Sequence, residues 1–194
     1  MKIAMNPKSA KLLTIINNEG EAVKEFGELK QYENFNLNQY SSYFEEDTHD
    51  NIFVTYQFRN CIEKYSPDGE LLLKIDRQKE FDENENFESK QKTVNGKIRN
   101  IRTFNWFSTG IGIDNKGRLW VGSLKRQLTE KEQVEKIYPD IYMFEIFDEN
   151  GVLLSHVDLP DYRAWQGIRI SRNKVFIIDT NNLMTVTIYN ILDN

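Results

Sequence analysis

Apolar and polar positions alternate in short bursts along this chain, and the bursts are separated by turns rich in Asp, Asn, Ser and Gly. The stretch from Gly110 to Leu159 shows the pattern most fully. It runs as Gly110-Ile111-Gly112-Ile113-Asp114, turns at Asn115-Lys116-Gly117 and returns as Arg118-Leu119-Trp120-Val121-Gly122. After a charged insert it continues as Tyr142-Met143-Phe144-Glu145-Ile146-Phe147, turns at Asp148-Glu149-Asn150-Gly151 and closes with Val152-Leu153-Leu154-Ser155-His156-Val157. Four apolar strands joined by Asx/Gly turns predict a four-stranded antiparallel meander.

The same punctuation recurs. Asn17-Asn18-Glu19-Gly20, Ser66-Pro67-Asp68-Gly69 and Asp148-Glu149-Asn150-Gly151 each end one apolar run and open another, as hairpin turns do. Residues 11–27 then read as a half blade, the third and fourth strands of a unit whose first two are missing upstream. Residues 40–77 form a complete blade. Residues 78–100, acidic from Glu80 and then basic at Lys90 and Lys92, read as a charged linker, a surface excursion outside any sheet. Residues 110–160 are a blade with an insert at 125–140. There Thr129 can cap a short helix, and coil is the open alternative. Residues 167–191 make a three-stranded terminal blade. Residues 1–194 thus read as a single partial domain.

Asp47-Thr48-His49-Asp50-Asn51-Ile52-Phe53-Val54 and Asp114-Asn115-Lys116-Gly117-Arg118-Leu119-Trp120-Val121 match position for position. The match places Phe53, Trp120 and Phe176 at equivalent second-strand positions. Repeated four-stranded sheets packed through apolar faces build a β-propeller. Val175-Phe176-Ile177-Ile178-Asp179-Thr180-Asn181-Asn182 and Ile62-Glu63-Lys64-Tyr65-Ser66-Pro67-Asp68-Gly69-Glu70-Leu71-Leu72 resemble strand signatures of the NHL-like six-bladed β-propellers. The fold expected is therefore all-β, a β-propeller of four-stranded antiparallel blades forming an incomplete ring of about three blades, where a closed six-bladed ring needs about twenty-four strands. Uncovered sheet faces at both ends predict self-association, as a homodimer completing a ring or as a fragment of a longer chain.

What the resemblance implies about function is broad, because propellers host binding proteins, hydrolases and lyases alike. First strands line the central channel of such a ring. On that implication Asn38, Gln39, Asn105, Trp106, Ser108, Arg163, Trp165 and Gln166 stand at the channel mouth, a polar and aromatic set suited to a small ligand or peptide. The expected function is a non-enzymatic ligand- or protein-binding module, and the alternative is a channel-site hydrolase or lyase. Related hydrolases hold a channel calcium with several carboxylates. Here Asn38 and Asn105 would serve, with no Glu or Asp at the equivalent positions. Related lyases use channel histidines, whereas His49 falls in a turn and His156 in an outermost strand. No catalytic residue, metal ligand or cofactor is assigned, and calcium belongs only to the alternative.

Composition adds limits. A chain of 194 residues with 39% apolar and 12% aromatic content can bury a sizeable core. A net charge of -5 argues against a nucleic-acid partner, which calls for clustered Lys and Arg. No apolar run approaches the roughly 18 residues that span a bilayer, and the opening Met1-Lys2-Ile3-Ala4-Met5-Asn6-Pro7 is not a signal peptide. Relatives of this type are commonly exported, so the compartment stays open. Cys61 is the sole cysteine and reads as a small core residue.

Overall fold

In the computed structural model, described for residues 2–4, 10–29, 42–83, 88–94, 96–103, 105–135, 140–159, 168–179 and 185–192, strands account for nearly all the regular structure. The first sheet holds β1 (Lys2–Ala4), β2 (Lys11–Ile16) and β3 (Ala22–Glu28) in that order. The second is the meander β4 (Ser42–Glu46), β5 (Ile52–Tyr56), β6 (Cys61–Tyr65) and β7 (Leu71–Asp76). A separate hairpin follows, β8 (Glu88–Val94) with β9 (Lys97–Thr103). The third meander is β10 (Ser108–Ile113), β11 (Leu119–Leu124), β12 (Tyr142–Phe147) and β13 (Leu153–Asp158), with α1 (Glu130–Glu135) between β11 and β12. The last blade is β14 (Ile168–Ser171), β15 (Lys174–Asp179) and β16 (Thr185–Asn190).

The turns form for local reasons. Asp47 accepts hydrogen bonds from the backbone N–H groups of His49 and Asn51, Asp114 from those of Lys116 and Arg118, and Asp148 from those of Asn150 and Val152. Gly117 and Gly151 take φ of +76° and +81° where the second and third of these turns reverse, a region other residues enter at a cost.

Among the described residues, three clusters of apolar side chains lie between successive sheets. Leu13, Ile15 and Phe26 of the first sheet meet Ile52, Val54 and Tyr65 of the second. Phe53 and Ile62 of the second meet Ile111, Leu119, Val121 and Phe147 of the third. Trp120, Phe144 and Ile146 of the third meet Ile168, Ile170, Val175 and Ile177 of the last. Both faces of the middle sheets are thus apolar, as stacked sheets require. The chain is all-β, and its meanders are propeller blades.

Three features depart from the sequence reading. The first sheet has a strand that the half blade lacked, because β1 pairs with β2 through Lys2↔Ile16, Ile3↔Ile15 and Ala4↔Thr14. The stretch expected as a linker outside any sheet contains the β8–β9 hairpin. Its polarity hid a local signal: Val94 pairs with Lys97 across Gly96, whose φ of +74° suits a tight hairpin turn. Finally, β10 pairs in parallel with β14 at Gly110↔Ile168, which joins the last two blades into one seven-stranded sheet. Glycine makes this approach possible. A Cβ on Gly110 would lie 2.9 Å from Ile168 Cβ, and one on Gly112 would lie 2.6 Å from Ile170 Cβ.

In the insert, helix prevails over coil through a reciprocal capping box. The Glu132 N–H donates to Thr129 Oγ1 at 3.3 Å, and the Thr129 N–H donates to Glu132 Oε2 at 2.7 Å. Arg126 holds the same carboxylate from both guanidinium nitrogens at 2.8 and 2.9 Å.

Candidate functional site

Of the eight residues expected at the channel mouth, Asn105, Trp106 and Ser108 lie among the described residues. Asn38, Gln39, Arg163, Trp165 and Gln166 lie outside them. The three are consecutive with Phe107 on the approach to β10, yet they play different parts. Asn105 and Trp106 are half-buried. Asn105 Nδ2 donates to the Asp82 carbonyl at 2.8 Å. The main chain of Trp106 is gripped by one amide side chain, its N–H donating to Gln127 Oε1 at 2.8 Å and its carbonyl accepting from Gln127 Nε2 at 2.7 Å. Its indole meets Phe58 edge-on with centroids 6.2 Å apart. Two further bonds tie the segment to both flanking strands: the Phe107 N–H donates to the Gln57 carbonyl at 2.7 Å, and Ser123 Oγ donates to the Phe107 carbonyl at 3.0 Å.

Ser108, by contrast, is fully buried. Its hydroxyl is 2.8 Å from Thr55 Oγ1 of the preceding blade and accepts from Arg77 NH2 at 2.9 Å. It belongs to an ionic cluster that the sequence reading did not single out. Arg77, just past β7, sends NH1 to Ser123 Oγ at 3.0 Å and to Glu145 Oε2 at 3.1 Å. Lys79 Nζ lies 2.9 Å from the other oxygen, Glu145 Oε1, and donates to the Leu124 carbonyl. Both partners of the Arg77–Glu145 pair are almost wholly buried, so the second and third blades are cross-linked by two cations around one carboxylate. Burial alone would raise the Glu145 pKa, but Arg77 and Lys79 outweigh it and hold the carboxyl below its ordinary range.

One signal for this cluster was present in the sequence. Glu145 interrupts the apolar strand Tyr142–Phe147, and Glu63 interrupts Cys61–Tyr65 at the same distance from its turn. Glu63 is buried too, and accepts from the Tyr56 and Tyr65 hydroxyls and from Arg59 NH2. Burial first, and then the Glu63 carboxylate, push both phenols well above the ordinary tyrosine range.

The grooves between successive sheets differ in chemistry. The one between the first and second sheets, about 260 Å³, is charged, with Glu28, Arg59, Lys74 and Glu83 around Cys61. Burial pushes the Cys61 thiol up to about 11. The second groove, about 390 Å³, is mixed and reaches the Arg77–Glu145 pair beside Phe147 and His156. The last, about 300 Å³, is apolar, with Trp120, Phe144, Leu159, Val175 and Tyr189. His49 and His156 are both exposed, in a turn and in β13. Among the described residues, no three His, Cys, Asp or Glu side chains gather as a metal site would require. Also among the described residues, no helix is long and apolar enough to cross a membrane.

No protein-family model matches the chain, and no curated protein matches it. Among solved structures, the chain resembles a protein of unknown function from Bacteroides caccae, with a TM-score of 0.50 and 10% identity over 92% of this chain. The likeness is one of fold, and the chain spans only 55% of that protein's length. A virginiamycin B lyase from Staphylococcus aureus aligns over 97% of this chain and 68% of its own, at 12% identity and a TM-score of 0.37. The stacked meanders define a chain of the β-propeller class.

Proposed function

We propose that this protein is a binding module of the NHL-like, six-bladed propeller kind, taking a peptide or small ligand at the end of the blades where Asn105 and Trp106 stand. The observation that carries the reading is the fixing of Trp106. A half-buried indole whose two main-chain groups are held by Gln127 has little freedom left to lose, and rigid aromatic groups bind at low entropic cost. The ionic cluster under Ser108 supports that segment from below. Asn38, Gln39, Arg163, Trp165 and Gln166 complete the proposed surface, and self-association belongs to the same reading.

The test is to pan a displayed random-peptide library against the intact protein, with Trp106→Ala as the counter-target. Peptides that bind the parent and lose at least about tenfold in affinity on the variant support the proposal, since aromatic anchors dominate such surfaces. Enriched peptides that bind both proteins equally would overturn it.

A further inference from the structure

The groove between the second and third blades is lined by a buried cation that the fold does not fully satisfy. Arg77 is 6% exposed, and its guanidinium carries five N–H donors. NH1 donates to Ser123 Oγ and Glu145 Oε2, and NH2 donates to the Arg59 carbonyl and Ser108 Oγ. Among the described residues, Nε has no partner. A buried donor left without an acceptor costs free energy, and native structures ordinarily supply one. Arg77 lines the groove of about 390 Å³, which is the size of a small-ligand site.

The walls of that groove are of two kinds. Ile75, Phe147 and Leu153 are apolar, whereas Arg77, Glu145 and His156 are polar. Gly151 lets the β12–β13 turn approach β7, since a Cβ there would stand 2.6 Å from Ile75 Cδ1, and so sets how close the two walls come. His156 is the register partner of Glu145, which puts both side chains on one face of the third blade. It is exposed, and its ring offers a second donor beside the buried pair. Charge decides what the unused donor takes. Both Glu145 oxygens are occupied, Oε2 by Arg77 and Ser123 and Oε1 by Lys79. Two buried cations thus surround one carboxylate, which leaves positive charge in excess. Glu83, a second carboxylate near Arg77, accepts from the Asn60 N–H and lines the first groove instead. Asp76 has its side chain 78% exposed beside Lys74, where water screens it.

We propose that this groove binds a small organic monoacid, its carboxylate accepting from Arg77 Nε–H beside His156 and its apolar body lying along Ile75, Phe147 and Leu153. Such an anion gives the guanidinium its fifth hydrogen bond and balances the excess charge, and charge-assisted bonds of this kind are the strong ones. Inorganic phosphate would leave the apolar wall uncovered. A neutral amide of the same shape would leave the charge unbalanced. The site is separate from the peptide surface at Trp106, and nothing in it rests on that reading.

The test is a titration of the intact protein at neutral pH with phenylacetate, with phenylacetamide and with inorganic phosphate, each to about 10 mM and followed through the histidine ring resonances by NMR. The chain has two histidines, so His156 reports on the groove and His49, in the turn before β5, is the internal control. Phenylacetate should bind with a Kd of about 1 mM or tighter, at least about tenfold more tightly than the amide, and should move His156 alone. Leu153→Glu, at a 43% exposed position and judged folded by circular dichroism, should weaken the acid at least about tenfold. Val23→Glu, which adds the same charge at an exposed position of the first sheet, should bind it as the parent does. No binding of phenylacetate, equal binding of acid and amide, tighter binding of phosphate, movement of His49 in place of His156, or full binding by Leu153→Glu would each overturn the proposal. None of these outcomes bears on peptide capture at Trp106, so the two proposals fail separately.

Discussion

Glu63 and Glu145 occupy the same position in successive blades, each directly opposite a wholly buried valine, Val54 and Val121, yet they are satisfied from opposite directions. Glu63 takes its partners from its own blade, with Tyr56, Tyr65 and Arg59 all within seven residues of it. Glu145 takes Arg77 and Lys79 from the blade before it. The first carboxylate therefore stiffens one sheet, while the second holds two sheets together.

Removing the second should be costly. Glu145→Ala leaves two buried cations without their anion, and breaking a buried pair from one side typically costs about 3–5 kcal/mol. Replacing the whole group, as Arg77→Met with Lys79→Met and Glu145→Leu, should recover most of that loss. Chemical denaturation of the two variants decides it. A Glu145→Ala protein within about 1 kcal/mol of the parent, the loss of an ordinary substitution, would show that the cluster does not bridge the blades.

The same carboxylate sets an acid limit. Its pKa is lower in the folded than in the unfolded chain, so the unfolded chain takes up the proton first as pH falls. The stability it lends is complete above the ordinary value of 4.5 and is lost progressively below it, as pH approaches the folded value. Glu132 adds to this, held at about 2 by the Arg126 hydrogen bonds and by the Thr129 cap. Denaturation midpoints measured from neutral pH down to about pH 3, below the ordinary carboxylate range, should fall more steeply for the parent than for Glu145→Gln. Parallel profiles would refute the assignment.

The aromatic residues of the second strands should form a graded series. Trp120 is buried and donates Nε1–H to Asp114 Oδ2 at 2.9 Å, so Trp120→Ala should cost about 3–5 kcal/mol. Phe176 is only half-buried, and Phe176→Ala should cost about 1–2 kcal/mol. Equal losses in thermal unfolding would mean that the last blade is covered as the third one is.

Gly112→Ala probes the parallel contact between β10 and β14. Its new methyl would meet Ile170 Cβ at 2.6 Å, and overpacking of that kind typically costs about 1–3 kcal/mol. Limited proteolysis should then cleave first within the last blade. A variant as resistant as the parent would show that the two strands can part without loss.

Cys61 is predicted to be inert while the protein is folded. It is 2% exposed, and its thiol is pushed up to about 11 by burial, so thiolate is scarce at neutral pH. A thiol reagent should label it only after denaturant is added. Prompt stoichiometric labelling of the native protein would contradict both its burial and its electrostatics.

The local grammar of the fold was legible in the order of residues. Turns at Asp47, Asp114 and Asp148 form because a carboxylate reaches backbone N–H groups two and four residues ahead, so cause and effect lie within one short stretch of chain. Alternation placed Phe53 and Trp120 on faces that pack between blades, and Thr129 marked a candidate helix start in a stretch where coil was the open alternative. Charge was the misleading signal. The run from residue 78 to residue 100 looked solvated because charged side chains usually are, and the composition hid a hairpin.

Tertiary structure alone decided what the charges do. Arg77 meets Glu145 across 68 residues of sequence, a pairing that exists only once the two blades are stacked. The burial of Ser108, expected at an open mouth, follows from the same stacking, since Thr55 of the preceding blade and Arg77 close over its hydroxyl. The pairing of β1 with β2 and the approach of β10 to β14 are also products of packing. A sequence names the face on which a side chain lies. What covers that face depends on residues far along the chain, through short-range contacts that come into being only on folding.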